Sequence, residues 1–101
     1  MKLIQKLSHR INEEIEDAKY YAKCALKYRN KRRSLADTMY QISQEEIRHA
    51  NMIHNEVVKI IDEYRAKEGD PPEIMMQLYE YMHQKSIANM NEVQTLQQMY
   101  Q

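Results

Sequence analysis

The sequence predicts an all-α protein: an antiparallel helical hairpin with a third helix added, its four-helix bundle completed by a second copy of the chain. Three observations point there. The one glycine and both prolines sit together at Gly69, Pro71 and Pro72, so nothing else in the chain interrupts a helix. Apolar residues recur at alternating three- and four-residue steps, the spacing of one helical face. At one height of the expected hairpin the stepping lands on Glu14, Glu46 and His49, side chains that bind metals and are costly to bury uncompensated.

The first helix is expected over about residues 3–29, a rod of ~40 Å at 1.5 Å per residue. Its seam reads Ile4, Leu7, Ile11, Glu14, Ala18, Tyr21, Ala25 and Tyr28, and Glu14 is the one acid on it. A basic link, Asn30-Lys31-Arg32-Arg33, follows, and its cations suit the negative end of a helix. Ser34 with Asp37 three residues on resembles a capping box and opens the second helix, expected over about residues 34–67. Along that helix Leu35, Met39, Ile42, Ile53 and Ile60 mark the seam, and the missing steps fall on Glu46 and His49. In the next break, Gly69 serves as the stop, Asp70 as N-cap and Pro71 as the first residue of the third helix, which extends to about residue 100. Its stripe is Met75, Leu78, Tyr79, Met82, Ile87, Met90, Val93 and Leu96, read as core or oligomer contact.

The chain of 101 residues is read as a single domain. Fifteen basic residues balance fifteen acidic ones, and no basic stripe is interleaved with aromatics, which removes nucleic acid as an expected partner. No apolar run approaches the ~20 residues of a membrane span. The lone Cys24 has no internal disulfide partner and the N-terminus has no apolar signal core, so a cytoplasmic location is expected.

Glu46 and His49, three residues apart, project from one helical face. In an antiparallel hairpin, residues at equal height have numbers of near-constant sum, here about 64, which brings Glu14 level with position 50. Two carboxylates and an imidazole suit Fe, Mn or Zn better than Ca. They are half of a dinuclear helix-bundle set, which takes one Glu from each of two helices and Glu-x-x-His from each of two others. A second copy about a two-fold axis supplies the remainder, so a homodimer or larger homo-oligomer is expected. Glu80 and His83 repeat the Glu-x-x-His spacing without an acidic seam partner and are not expected to be ligands. Glu56, His54 and His9 are read as surface residues.

The stretches Glu14-Ile15-Glu16-Asp17-Ala18-Lys19-Tyr20-Tyr21 and Glu45-Glu46-Ile47-Arg48-His49-Ala50 resemble the ferritin-like superfamily, especially its rubrerythrin-like and encapsulated-ferritin branches. The resemblance covers roughly residues 7 to 61. It implies that Glu14 is the first-helix ligand, Glu46 the bridging carboxylate and His49 the nitrogen ligand. The same three would then be the catalytic groups, with Tyr21 near the metal. It also implies non-haem iron, with Mn or Zn as alternatives, and oxidation of Fe(II) by dioxygen or peroxide at a dinuclear site between subunits, a ferroxidase-type oxidoreductase. Glu45 or Asp17 is then expected to hold the free nitrogen of His49. The chain departs from the four-helix members by carrying one half-site, and it has no Cys-x-x-Cys module for electron delivery. The alternative expectation is a metal-free helical interaction module that keeps the fold without the chemistry.

Overall fold

The computed structural model describes residues 2–101, and these form three α-helices: α1 (Lys2–Tyr28), α2 (Arg33–Glu68) and α3 (Glu73–Tyr100). The 36 residues of α2 rise ~54 Å at 1.5 Å each, which sets the long axis of a 55 × 18 × 18 Å rod. Between α1 and α2 the chain turns through a tight basic link. The amides of Lys31 and Arg32 both donate to the Tyr28 carbonyl, at 3.1 and 2.9 Å. Among the described residues no helix is long and apolar enough to cross a membrane.

Helix boundaries fall close to those expected, but their chemistry differs. Ser34 lies inside α2 and caps nothing. The residue before the helix is Arg32, without a side-chain cap, and Asp37 instead accepts from Arg33 Nε at 3.1 Å. Gly69 does take a positive φ of 81° and its amide bonds the Arg65 carbonyl at 3.2 Å. Asp70 is not an N-cap, and Pro71 is not helical. The extended Pro72 precedes α3, its carbonyl accepting from Met75 and Met76 at 3.1 Å each.

The centre of the α1–α2 interface is built from small residues. Ala18, Ala22 and Ala25 of α1 and Ala36, Ser43 and Ala50 of α2 are all buried, alongside Ile15 and Val57. Small side chains let the two backbones approach, and the apolar bulk of Ile4, Ile11, Ile15, Val57 and Ile61 fills the layers around them. The buried column of α2 is therefore Ala36, Ser43, Ala50 and Val57, one residue along from the expected Leu35, Ile42, His49 seam. Leu35 is exposed, while Met39, Ile42, Ile53 and Ile60 are half-buried at the flank.

Helix α3 runs parallel to α1 and packs mainly on it. Ser86 donates to Asn12 Oδ1 at 2.6 Å and Lys19 pairs with Glu92 at 3.0 Å. The Ser43 hydroxyl ties all three helices, donating to the Ala18 carbonyl at 2.7 Å and accepting from Gln97 at 2.9 Å. The buried stripe of α3 is Met75, Met82, Ser86, Val93 and Tyr100; Leu78 and Ile87, expected on it, are exposed. At the far end Tyr100 stacks on Tyr40, donates to Asp37, and lies under the guanidinium groups of Arg29 and Arg33. The Tyr100 hydroxyl, together with Arg33, holds the Asp37 carboxyl below the usual carboxylate range.

Candidate metal centre

Glu14, Glu46 and His49 meet. One ligand atom from each lies within 4.8 Å of the others, and they form the one such group of three among the described residues. The hairpin register brings them level: Glu14 and His49 sum to 63, close to the expected 64, and the pair Ala18–Ser43 joined by a hydrogen bond sums to 61. Asn12, two residues from Glu14 and so roughly 200° around the helix, faces α3. The triad therefore opens on the side of α1 that α3 does not cover, and α3 gives it no ligand.

The geometry suits a small cation. His49 Nδ1 lies 3.7 Å from Glu46 Oε1 and 3.9 Å from Glu14 Oε2. An ion held at ~2.0–2.2 Å by nitrogen and oxygen separates its ligand atoms by at most about 4.4 Å. Both distances fit inside that limit. The side chains are graded in exposure, with Glu14 at 8%, Glu46 at 19% and His49 at 44%. Glu14 is buried, as its seam position predicts. His49 is not: the one-residue displacement of the α2 column puts it at the rim.

The second oxygen of Glu14 is already engaged. Arg10 Nη2 lies 3.0 Å from Glu14 Oε1, while its Nη1 holds Glu13 at 2.9 Å. Arg10 was not among the residues singled out from sequence. Its signal is the four-residue spacing to Glu14, which places a cation directly over a seam acid. The pairing leaves Oε2 turned toward His49, so Arg10 fixes the carboxylate without blocking that oxygen.

Crowding of two carboxylates has an electrostatic cost. Hydrogen bonding to Glu14, burial, and the negative charges of Glu14 and Asp17 together push the Glu46 carboxyl up from its ordinary 4.5 to about 7. Because the folded value is raised, its stabilising contribution is complete below about pH 4.5 and is lost as pH rises toward 7. In the chelated protein, the melting-temperature advantage of Glu46→Gln over wild type should therefore widen between pH 5 and pH 8. A constant difference across that range would contradict the shared-proton geometry.

Other expected participants stay outside. Tyr21 is half-buried, sets its ring edge-on to Tyr20 at 5.4 Å, and its hydroxyl bonds no triad carboxylate among the described residues. Neither Glu45 nor Asp17 hydrogen-bonds His49; both are exposed, and Asp17 acts on Glu46 only through its charge. Glu80 is exposed, accepts from Gln84 at 2.9 Å, and belongs to no group of three ligating side chains among the described residues. Glu56 is exposed and pairs with Lys59, and His9 is exposed, as read from sequence. His54 is half-buried against α3, a placement the sequence reading missed. No protein-family description, curated protein or solved structure matches the chain.

Proposed function

We propose that the chain is a ferritin-like, non-haem iron-binding protein that oxidises Fe(II) at a dinuclear site formed between two copies. The convergence of Glu14, Glu46 and His49 at the mid-height of the hairpin carries this reading. Two carboxylates and one imidazole are a hard and borderline donor set that accepts iron as it does manganese or zinc, and carboxylates stabilise Fe(III) over Fe(II). The set is half of the helix-bundle dimetal arrangement, it opens on the face free of α3, and the half-buried Met39, Ile42 and Ile53 flank it there. A two-fold copy on that face completes both the donor set and the apolar burial.

In this reading Fe(II) is the substrate. Each of two Fe(II) ions gives one electron to dioxygen, which takes up two protons and leaves as hydrogen peroxide. Glu14 would contribute Oε2 while Arg10 holds Oε1, Glu46 would supply the second carboxylate, and His49 would present Nδ1 from the rim. Glu46 must lose its proton for the ion to enter. The test is anaerobic loading of the purified chain with Fe(II), followed by air. A new near-ultraviolet absorbance is expected in wild type and not in Glu46→Ala. Identical spectra for the two proteins would remove the reading.

A metal-free helical interaction module is the second reading, and one observation favours it. Glu14 is already paired with Arg10, and Glu46 titrates high enough to hold a proton, so the three side chains are partly compensated without an ion. On that reading iron and chelator leave the melting temperature of wild type and His49→Ala alike unchanged.

A further inference from the structure

On the other side of the hairpin, α3 leans away from α2 and leaves a cavity of ≈ 240 Å³ that shares no residue with the triad. Its walls are mostly apolar, including Ile11, Ala50, Met82 and Met90. Two features make it more than a packing gap. The hydroxyl of Ser8 is buried at its edge and is the one buried side-chain polar atom without a hydrogen-bond partner among the described residues. Tyr79, His83 and His54, which also line the cavity, form a column of nearly parallel rings, spaced 5.8 Å at 7° and 4.9 Å at 10°.

The ring column argues against a metal here. An ion bound by an imidazole lies in that ring's plane, and two parallel offset rings share no such point. Charge argues against an anion: burial and the neighbouring His83 lower the His54 pKa, so its imidazole is held neutral. Size excludes a helix, whose diameter with side chains is about 10–12 Å. A cavity of about 150 Å³ accommodates benzene, whereas drug-sized ligands need roughly 300 Å³ or more. The space here lies between the two.

We propose that this cavity binds a neutral, planar aromatic molecule of one or two rings that carries a single hydroxyl or N–H group. The ligand ring packs with its face against the ring edges of the Tyr79–His83–His54 column, and the polar group satisfies Ser8. Edge-to-face contact with aromatic rings is a gain that an aliphatic ligand of equal volume does not make. A buried hydroxyl without a partner is costly, so a ligand that supplies one gains more than its contact area alone would give.

The probes are phenol and indole, titrated into the 101-residue chain while imidazole ring resonances are followed by NMR. Saturable shifts confined to His54 and His83, with His9 and His49 unmoved, are expected. Ser8→Ala should weaken binding about five-fold, the loss of one hydrogen bond. Ile87→Trp, at an exposed position on the cavity lip, should weaken it at least about ten-fold while the melting temperature stays near wild type. Absence of saturable shifts, shifts spread equally over all four histidines, or unchanged affinity in either variant would overturn the assignment. Cyclohexanol binding as tightly as phenol would overturn it as well, because the ring column would then play no part.

Discussion

Glu46→Gln should abolish the response of the protein to Fe(II) while making the chelated protein more stable at pH 8. The two effects have one origin. The hydrogen bond to Glu14, burial and the repulsion of the Glu14 charge push Glu46 to about 7, so above that pH the ion-free fold carries two carboxylate charges against the single Arg10 guanidinium. Glutamine keeps the shape and the hydrogen bond to Glu14 but removes the charge, which relieves the apo protein. It also removes an anionic donor from the metal set, a larger loss than the 10–100-fold that outer-shell partners typically cost in affinity. In wild type, Fe(II) at 100 times its dissociation constant should stabilise the fold by about 2.7 kcal/mol, a rise in melting temperature of roughly 10–20 °C for a domain of this size. The variant should show no such rise. Anaerobic differential scanning fluorimetry at pH 8 measures both halves, and a variant that is no more stable when chelated yet still responds to iron would contradict the account.

Ile15→Ala should cost the largest amount of stability of any single truncation near the site, about 2–5 kcal/mol. Ile15 is wholly buried, at the middle of the main apolar cluster and directly beside Glu14. Its removal opens a cavity where α1 meets its neighbours, and the small residues around it, Ala18 and Ala50 among them, have no bulk with which to collapse into the space. The hairpin register holds Glu14 level with His49, so this variant should also weaken the iron response before it unfolds the chain. Urea denaturation with and without metal reads both effects. A loss below about 1 kcal/mol would show that the interface is more plastic than its burial implies.

Much of this was legible in the residues. The Gly69–Pro72 break and the basic link fixed three helices because those residue types act locally, through backbone geometry and charge. The meeting of Glu14 with Glu46 and His49 was legible because an antiparallel hairpin with a short turn leaves little freedom in register. The buried column of α2 was not. Its members Ala36, Ser43 and Ala50 are small, and a reading by hydrophobic bulk passes over them in favour of Leu35, Ile42 and Ile53. Bulk belongs at the flanks where helices diverge, and small residues belong at the line of closest approach. That displacement by one residue is why His49 sits at the rim. Capping failed for a different reason: Ser34 and Asp70 fit the sequence preference, but α2 starts one residue before Ser34, at Arg33, and α3 starts only after both prolines, at Glu73. His54 was illegible because its partners lie on α3, and the broad stripe of α3 does not fix which neighbour it prefers.

The most direct test of the central claim is anomalous X-ray diffraction at the iron edge, from crystals of the full chain grown or soaked anaerobically with Fe(II). A peak is expected at ~2.0–2.2 Å from Glu14 Oε2, a Glu46 oxygen and His49 Nδ1, with a symmetry-related set facing it across a two-fold axis. A peak elsewhere, or none at this triad while the iron is demonstrably present, would contradict it.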